Sequence, residues 1–350
     1  MSNILNNIKK KLPLDKYINL CLYKHRYSYY EKNKIFGPRG DFITSPYISS
    51  IFGEIISIYI LNYFLNRGIK KCNLLEVGAG EGIMAKDIVK TLLKFKNIKF
   101  KYFILEKSKN LKKLQKNNLK KFNVEWINNL KNFNKNNCFI LSNELLDAFP
   151  VKHLKKIQNR WYERYIFYNK NKNETSSRFL LLKRTPKDVL NFCNQNTKFI
   201  EYAPEIFKFI SKISRLVKNH KNNCFMTIDY GYYDENFKNT LQALEKHRKV
   251  GIFHNPGNVD ITHLVNFKFI NRIFEKNSLT RTLNMSQSDF LIKYGIQARL
   301  KQAKKNLKNK QDKIKLDMSV NRLIDKKQMG NLFKVLLVTN ENRVKKTFKN

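Results

Sequence analysis
A chain of 350 residues, 42% of them hydrophobic, can bury a large core, enough for one catalytic domain with sizeable additions or for two intimate lobes. No apolar run approaches the roughly 20 residues of a spanning helix, and residues 1–11 lack the apolar stretch of a signal peptide, so membrane insertion and secretion are not expected. The formal charge of +42 invites a nucleic-acid reading, yet the lysines share nearly every polar face with asparagine, as at 94–99 and 116–121, with no stripe or aromatic platform, and solvated faces account for them.

Residues 1–66 read as helices around a loop punctuated by glycine and proline, Gly37-Pro38-Arg39-Gly40-Asp41-Phe42-Ile43-Thr44-Ser45-Pro46, where Thr44 or Ser45 can cap the next helix. Helical apolar spacing follows over 51–64. From Asn73 the pattern alternates: strand 73–77, helix 83–95, strand 101–105, helix 110–119, a short strand at Val124-Glu125-Trp126 and a strongly apolar strand 138–141. This alternation predicts right-handed βαβ units in a mainly parallel sheet covered on both faces, a Rossmann-like α/β fold. Two strand-like runs, 161–168 and 178–183, flank the polar tract 169–177 and predict an inserted hairpin at about 160–184. A helix at about 204–217 and a strand 224–228, ending at Asp229-Tyr230-Gly231, resume the alternation. The run Asn255-Pro256-Gly257-Asn258-Val259-Asp260-Ile261-Thr262-His263 has a turn signature, with Asp260 or Thr262 available as a helix cap. A helical region spans about 286–328, and its lysine-dense part, 301–315, is the segment best suited to an acidic partner or nucleic acid. The strand 332–338, apolar apart from Lys334, is expected at the sheet centre. Two divisions result: an N-terminal helical cap with its loop, 1–66, and a core, 67–350, carrying the hairpin and the helical region as insertions.

The chemistry concentrates in Glu76-Val77-Gly78-Ala79-Gly80-Glu81-Gly82, where a strand meets three alternating glycines before a helix. Glycine lets the chain turn sharply and a ligand approach the backbone, and the helix start offers free N–H groups. Such a loop can also be a plain tight turn. A second strand, however, ends in Glu106, 24 residues beyond Gly82 and near the spacing at which a carboxylate meets ribose hydroxyls. With Glu76, this pairing reads as an S-adenosylmethionine (SAM) site. Ligands of such sheets sit beyond the carboxyl ends of the strands, where Gly78, Glu106, Trp126 and Asn143 fall. Trp126 either flanks the adenine or packs into the core. The segment 39–45 either closes over the methionine end, offering the Thr44 and Ser45 hydroxyls, or forms a capping turn.

Asn143, Glu144 and Asp147 follow the strand 138–141 and place an amide and two carboxylates where a methyl acceptor should lie. In a helical turn, Glu144 and Asp147 would share a face. Paired carboxylates can hold a guanidinium, which stays charged at ordinary pH, in a fork geometry; the alternative is that Asp147 caps a helix and Glu144 is solvated. The five cysteines form no C-x-x-C pair and look like small buried hydrophobes beside strands. His254 and His263 are poorly partnered and no H-E-x-x-H occurs, so no metal is expected.

With these residues the chain resembles the MidA-type class I SAM-dependent methyltransferases, whose mitochondrial members are complex I assembly factors acting as protein arginine methyltransferases. The resemblance is carried by Tyr29-Tyr30, by 40–46, by Phe52-Gly53-Glu54, by the glycine loop, by Glu106-Lys107-Ser108 with Leu111 and Gln115, and by Asn143-Glu144-Leu145-Leu146-Asp147-Ala148-Phe149-Pro150. It continues through Trp161-Tyr162-Glu163-Arg164, Ile228-Asp229-Tyr230-Gly231, 256–262 and Met329-Gly330-Asn331-Leu332-Phe333-Lys334-Val335, spanning almost the whole chain in order. It implies SAM contacts at the glycine loop and Glu106, and dimethylation of an arginine on a peripheral-arm subunit of NADH:quinone oxidoreductase (complex I) in support of assembly. Phe149 stands where the family commonly has leucine, and Ala79 and Glu81 replace its usual proline and arginine, with both side chains expected to point away from the cofactor. The motifs begin near residue 1, which leaves no room for a mitochondrial presequence and favours a bacterial cytoplasm. Two further readings stand beside this one: a SAM-binding assembly chaperone without catalysis, and, on charge alone, an RNA methyltransferase. Otherwise no nucleic-acid partner is expected.

Overall fold
Seven strands follow one another along the principal sheet of the computed structural model, which describes residues 4–8, 11–24, 28–31, 44–131, 133–184, 186–245 and 248–340. They are β1 (Lys71–Val77), β2 (Lys99–Leu105), β3 (Val124–Ile127), β4 (Cys138–Asn143), β5 (Cys224–Tyr232), β6 (Thr280–Ser286) and β7 (Phe333–Thr339). Their order is β3-β2-β1-β4-β5-β7-β6. The first five run parallel, and β7 is antiparallel to both β5 and β6. Besides a helix at Leu14–Leu22, the chain has the helices α1 (Ser50–Leu65), α2 (Ile83–Leu92), α3 (Lys109–Asn118), α4 (Glu205–Lys218), α5 (Phe267–Lys276), α6 (Gln287–Lys293), α7 (Ile296–Lys305) and α8 (Lys310–Ile324).

Burial explains why these segments are strands. β4 and β5 are buried at every residue except the last, the signature of parallel strands covered on both faces. α1 is apolar all round and buries 11 of its 16 residues, so it is a core helix and not an amphipathic cover. Its Tyr59, Tyr63 and Phe64 pack edge-on against Phe139 of β4 at 6.1, 5.4 and 6.4 Å between ring centres. Ser49 caps it, its hydroxyl accepting from the Ile51 N–H at 3.3 Å.

The chain forms two compact units. One contains the described residues of 43–145, 210–231 and 274–340, so α1 folds with the sheet strands β1 to β4. The other gathers 1–42, 146–209 and 232–273. In this second unit the expected hairpin is present as Arg160–Asn169 and Glu174–Leu181, paired from Tyr162–Leu181 to Asn169–Glu174. It is not an isolated insertion. Lys152–Ile157, Phe199–Tyr202 and Lys11–Pro13 extend it into a five-stranded antiparallel sheet. A buried carboxylate, Glu201, organises the neighbourhood by accepting from the Thr240 and Leu241 N–H groups, each at 3.1 Å, and bonding His153 at 2.7 Å.

Three expectations need correction. β7 is flanked by β5 and β6 but lies one strand from the edge; β4 holds the centre. Its apolar run marks burial on both faces, which an interior strand has wherever it sits. Asp260 and Thr262 cap no helix, because Asp260–Thr262 is itself a buried strand paired with Gln242–Glu245. The N-terminal stretch is not wholly helical, since Lys11–Pro13 pairs with Tyr165–Phe167. The five cysteines are free; four are buried and Cys193 is half-buried. Among the described residues no helix is long and apolar enough to cross a membrane, and no cluster of His, Cys, Asp and Glu could hold a metal ion.

Gly330 lies in the short helix Met329–Leu332 that separates α8 from β7, packed against the end of α8. A Cβ there would lie 2.7 Å from the Ile324 carbonyl carbon and 2.8 Å from the Asp325 oxygen, both backbone atoms that cannot swing aside. Gly330→Ala is therefore expected to destabilise by about 1–3 kcal/mol, measured by urea unfolding. Gly251→Ala, with open space around it, should stay near neutral. Equal midpoints for the two variants would contradict this packing.

Candidate active site
Beyond the end of β1 the backbone turns through Gly78, Gly80 and Gly82, all at positive φ. At Gly78 (φ +72°) the constraint is double: the left-handed backbone disfavours a side chain, and a Cβ would meet Leu145 Cδ1 at 2.7 Å. Gly82 (φ +83°) occupies the N-cap of α2 with no side chain to bond the first turn, whose amide groups stay available. The loop is closed by the Gly78 N–H donating to Leu105 O at 3.0 Å and the Gly82 N–H to Ala79 O at 2.8 Å.

The two strand-end carboxylates differ. Glu76 is buried, and its Oε2 accepts from the Tyr102 hydroxyl at 2.5 Å. Burial pushes its carboxyl up to about 7, against a lowering by the Tyr102 bond and with a further push from Glu106. Glu106 is half-buried just beyond β2 and accepts from the Ser108 N–H at 2.8 Å, the Gln115 amide at 3.1 Å and the Lys107 N–H. A carboxylate has about four lone-pair sites, so acceptor capacity remains. Burial raises its pKa, and those donors, with the Lys112 ammonium, oppose the rise.

Gln115 links the expected residues. Its Nε2 also donates to Gly80 O at 2.7 Å, and its Oε1 accepts from the Trp126 indole at 2.9 Å. One fully buried amide thereby joins the glycine loop, Glu106 and Trp126. Trp126 itself is half-buried, with the Lys116 ammonium 5.8 Å from its ring centre. The signal for Gln115 was present: Leu111 and Gln115, four apart, are the buried residues of α3, so a glutamine occupies a core-facing position on a helix otherwise rich in lysine. Tyr102 and Asp229 were not singled out for a role. Ala79 is buried, whereas the Glu81 carboxylate bonds the Tyr47 hydroxyl.

At the end of β4, Asn143 Nδ2 donates to Glu144 Oε1 at 2.9 Å, and the Ser45 N–H donates to the same oxygen at 3.1 Å. Two expected groups, one from each side of the glycine loop in sequence, therefore meet at Glu144. Asn143 Oδ1 is buried without a hydrogen-bond partner among the described residues. The helical turn that would align Glu144 with Asp147 does not form. Glu144 has φ +50°, Leu145 N–H is held by the Asp229 carboxylate at 3.1 Å, and the hydrogen-bonded turn runs from Leu146 to Phe149. Asp147 belongs to the second compact unit, where it is buried and its carbonyl accepts from the His263 N–H at 3.1 Å. Thr44 occupies the N-cap of a short helix, Ser45–Ile48, but its side chain makes no capping bond, whereas Ser45 Oγ bonds Gln287 Oε1 at 3.3 Å. The expected loop residues 39–43 lie outside the described residues.

Residues 55–285 match the model of the Methyltransf_28 family of S-adenosyl-L-methionine-dependent methyltransferases. The mitochondrial protein arginine methyltransferase NDUFAF7 homolog of Drosophila melanogaster is 26% identical over 356 residues, covering 93% of this chain and 80% of that protein. The Xenopus laevis NDUFAF7 is 25% identical over 380 residues, covering 100% and 86%. In fold, the chain is similar to a COG1565 superfamily member from Burkholderia thailandensis, crystallised with S-adenosyl-homocysteine: TM-score 0.83 at 24% identity, covering 96% of this chain and 89% of that one.

The raised Glu76 carboxyl makes stability depend on pH. Between the ordinary value of 4.5 and about 7 the folded chain keeps a proton that the unfolded chain has released, so stability falls as pH rises through that window. Wild type should lose on the order of 3 kcal/mol from this group between pH 4.5 and pH 8. Glu76→Gln should remove that component of the slope in urea unfolding; an unchanged slope would show that Glu76 titrates normally.

Proposed function
Because this enzyme belongs to the family of S-adenosyl-L-methionine-dependent methyltransferases, whose model spans residues 55–285, we propose that its methyl acceptor is an arginine of a protein. Similarity to protein arginine methyltransferases over 93% and 100% of this chain carries this reading. The proposed acceptor is a peripheral-arm subunit of NADH:quinone oxidoreductase, dimethylated in support of assembly.

The enzyme uses SAM, and the residues at the strand ends fit it. Glu76, Gly78, Gly80 and Gly82 frame the cofactor, with backbone exposed where a Cβ cannot stand. Glu106 has lone pairs left for ribose hydroxyls, Trp126 offers a flat face held by its indole bond, and Thr44 and Ser45 offer polar groups for the methionine end. The buried Asn143 Oδ1 is an acceptor with no partner among the described residues, which a bound group would supply.

When bound, SAM supplies a methyl group activated by a positively charged sulfur. The chain's task is to hold a guanidinium nitrogen in line and to take up the positive charge around it. Asn143 and Glu144 are proposed for that work: the backbone N–H of Ser45 and the Asn143 amide fix Glu144 Oε1, so the carboxylate is oriented before the acceptor arrives. Asp147, three residues on, is retained as a third candidate on its place in the sequence.

Incubation with SAM and the homologous peripheral-arm subunit, followed by intact-protein and peptide mass spectrometry, should show two methyl masses on one arginine. Glu144→Gln should abolish transfer while calorimetry still detects SAM. Glu106→Ala should weaken SAM by roughly tenfold or more, the loss of charge-assisted bonds to two hydroxyls. Label from methyl-labelled SAM appearing in RNA and not in protein would replace the proposed acceptor class.

A further inference from the structure
Away from the glycine loop, the sheet-bearing unit contains a second concavity of about 540 Å3, a volume typical of small-molecule sites. Its walls come from α1, the C-terminal end of α2 and α7, and are apolar at Ile55, Ile58, Phe95 and Ala298.

Its polar lining includes the Glu54 carboxylate and the Thr91 hydroxyl, and three further groups, Tyr294, Arg299 and Lys94, have hydrogens to give. Tyr294 Oη is buried with no hydrogen-bond partner among the described residues. Its ring is wedged against Tyr59 at 4.7 Å and Phe290 at 4.9 Å, so the hydroxyl cannot swing out to water. Burial also raises its pKa to about 12, which keeps the proton in place. Arg299 gives Nε and Nη2 to the Glu54 carboxylate at 2.6 and 3.1 Å. That fork neutralises Glu54, fixes the guanidinium plane and leaves Nη1 without an acceptor among the described residues. Lys94 is an exposed cation at the cavity with no acidic partner within ion-pair distance among the described residues. The Gln302 and Asn306 amides can serve either role.

Donors without acceptors beside apolar walls define the complementary ligand, and a buried donor left unpaired is costly enough that the site discriminates by it. We propose that this cavity binds an amphiphilic anion, an apolar chain or ring system ending in one carboxylate or phosphate. The head group takes hydrogen bonds from Tyr294, Arg299 and Lys94, and the apolar body lies on Ile55, Ile58 and Phe95. This site is independent of the methyl acceptor.

The test is calorimetric titration of the full-length protein with decanoate, decyl phosphate and decanol, each below its micelle concentration, with isoleucine-methyl NMR to locate binding. Saturable binding of decanoate or decyl phosphate that shifts the Ile55 and Ile58 methyls is expected, and the tighter of the two identifies the head group. Decanol should bind roughly tenfold or more weakly, since it lacks the charge. Tyr294→Phe and Lys94→Gln should each weaken the anion by roughly three- to tenfold with unchanged thermal midpoints. Absence of saturable binding by either anion, decanol binding as tightly as the anions, or undiminished binding in both folded variants would overturn the proposal.

Discussion

Leu145 ties three strand ends together, and the geometry of the candidate site depends on it. It follows β4 directly, its N–H is held by the carboxylate of Asp229 in β5, and its side chain covers Gly78 after β1. The Asp229 carboxylate is fully buried and also accepts from the Tyr230 N–H at 2.9 Å, so it acts as an anchor inside the protein. Two backbone amides hold this buried carboxyl group in place, because giving up a donor to a buried acceptor is costly. The left-handed backbone of Glu144 (φ +50°) is held from both sides, its own N–H donating to Ile228 O at 2.9 Å and the next N–H, that of Leu145, to Asp229.

The distribution of charge follows the same logic. The buried acids Glu76, Asp229 and Glu201 accept from a hydroxyl, backbone amides or a histidine, whereas the buried Asp15 and Glu163 share the half-buried Lys152 ammonium. Other cations stay at the surface, where several lie over aromatic faces, such as Lys135 at 5.7 Å from Phe103 and Lys238 at 4.9 Å from Tyr232. A strongly basic composition therefore coexists with several buried acids that are held by neutral donors. The lysine count says little about what the strand ends recognise.

The sequence made the principal sheet legible because its strands are apolar on both faces and its helices keep a clean period. β1, β2, α2 and α3 begin or end within three residues of expectation. What was not legible depended on partners distant in sequence. β6 carries Thr280, Asn284 and Ser286 among its residues and is a strand because β7 offers an edge. The second unit's sheet assembles from strands at 11, 152, 160, 174 and 199, with no local signal that they belong together. Asp260 and Thr262 have the composition of a cap, yet pairing with Gln242–Glu245 decides their conformation. At the site, the glycines and strand-end acids could be read from residue type and spacing. Gln115 as their connector could be seen only once its position among buried residues was weighed against its polarity, and the turn at Glu144 only once Asp229 was known to hold the next amide.

The chain contains two tryptophans, and the fold separates them. Trp161 lies half-buried on the hairpin strand of one compact unit, while Trp126, hydrogen-bonded to Gln115 at the end of β3, belongs to the other. Intrinsic fluorescence is thus a sum of two reporters, one per unit. With Trp161 replaced by phenylalanine, the remaining emission comes from an indole bonded to the very amide that contacts Glu106 and Gly80. The protein carries its own optical probe of that network, readable without any added dye.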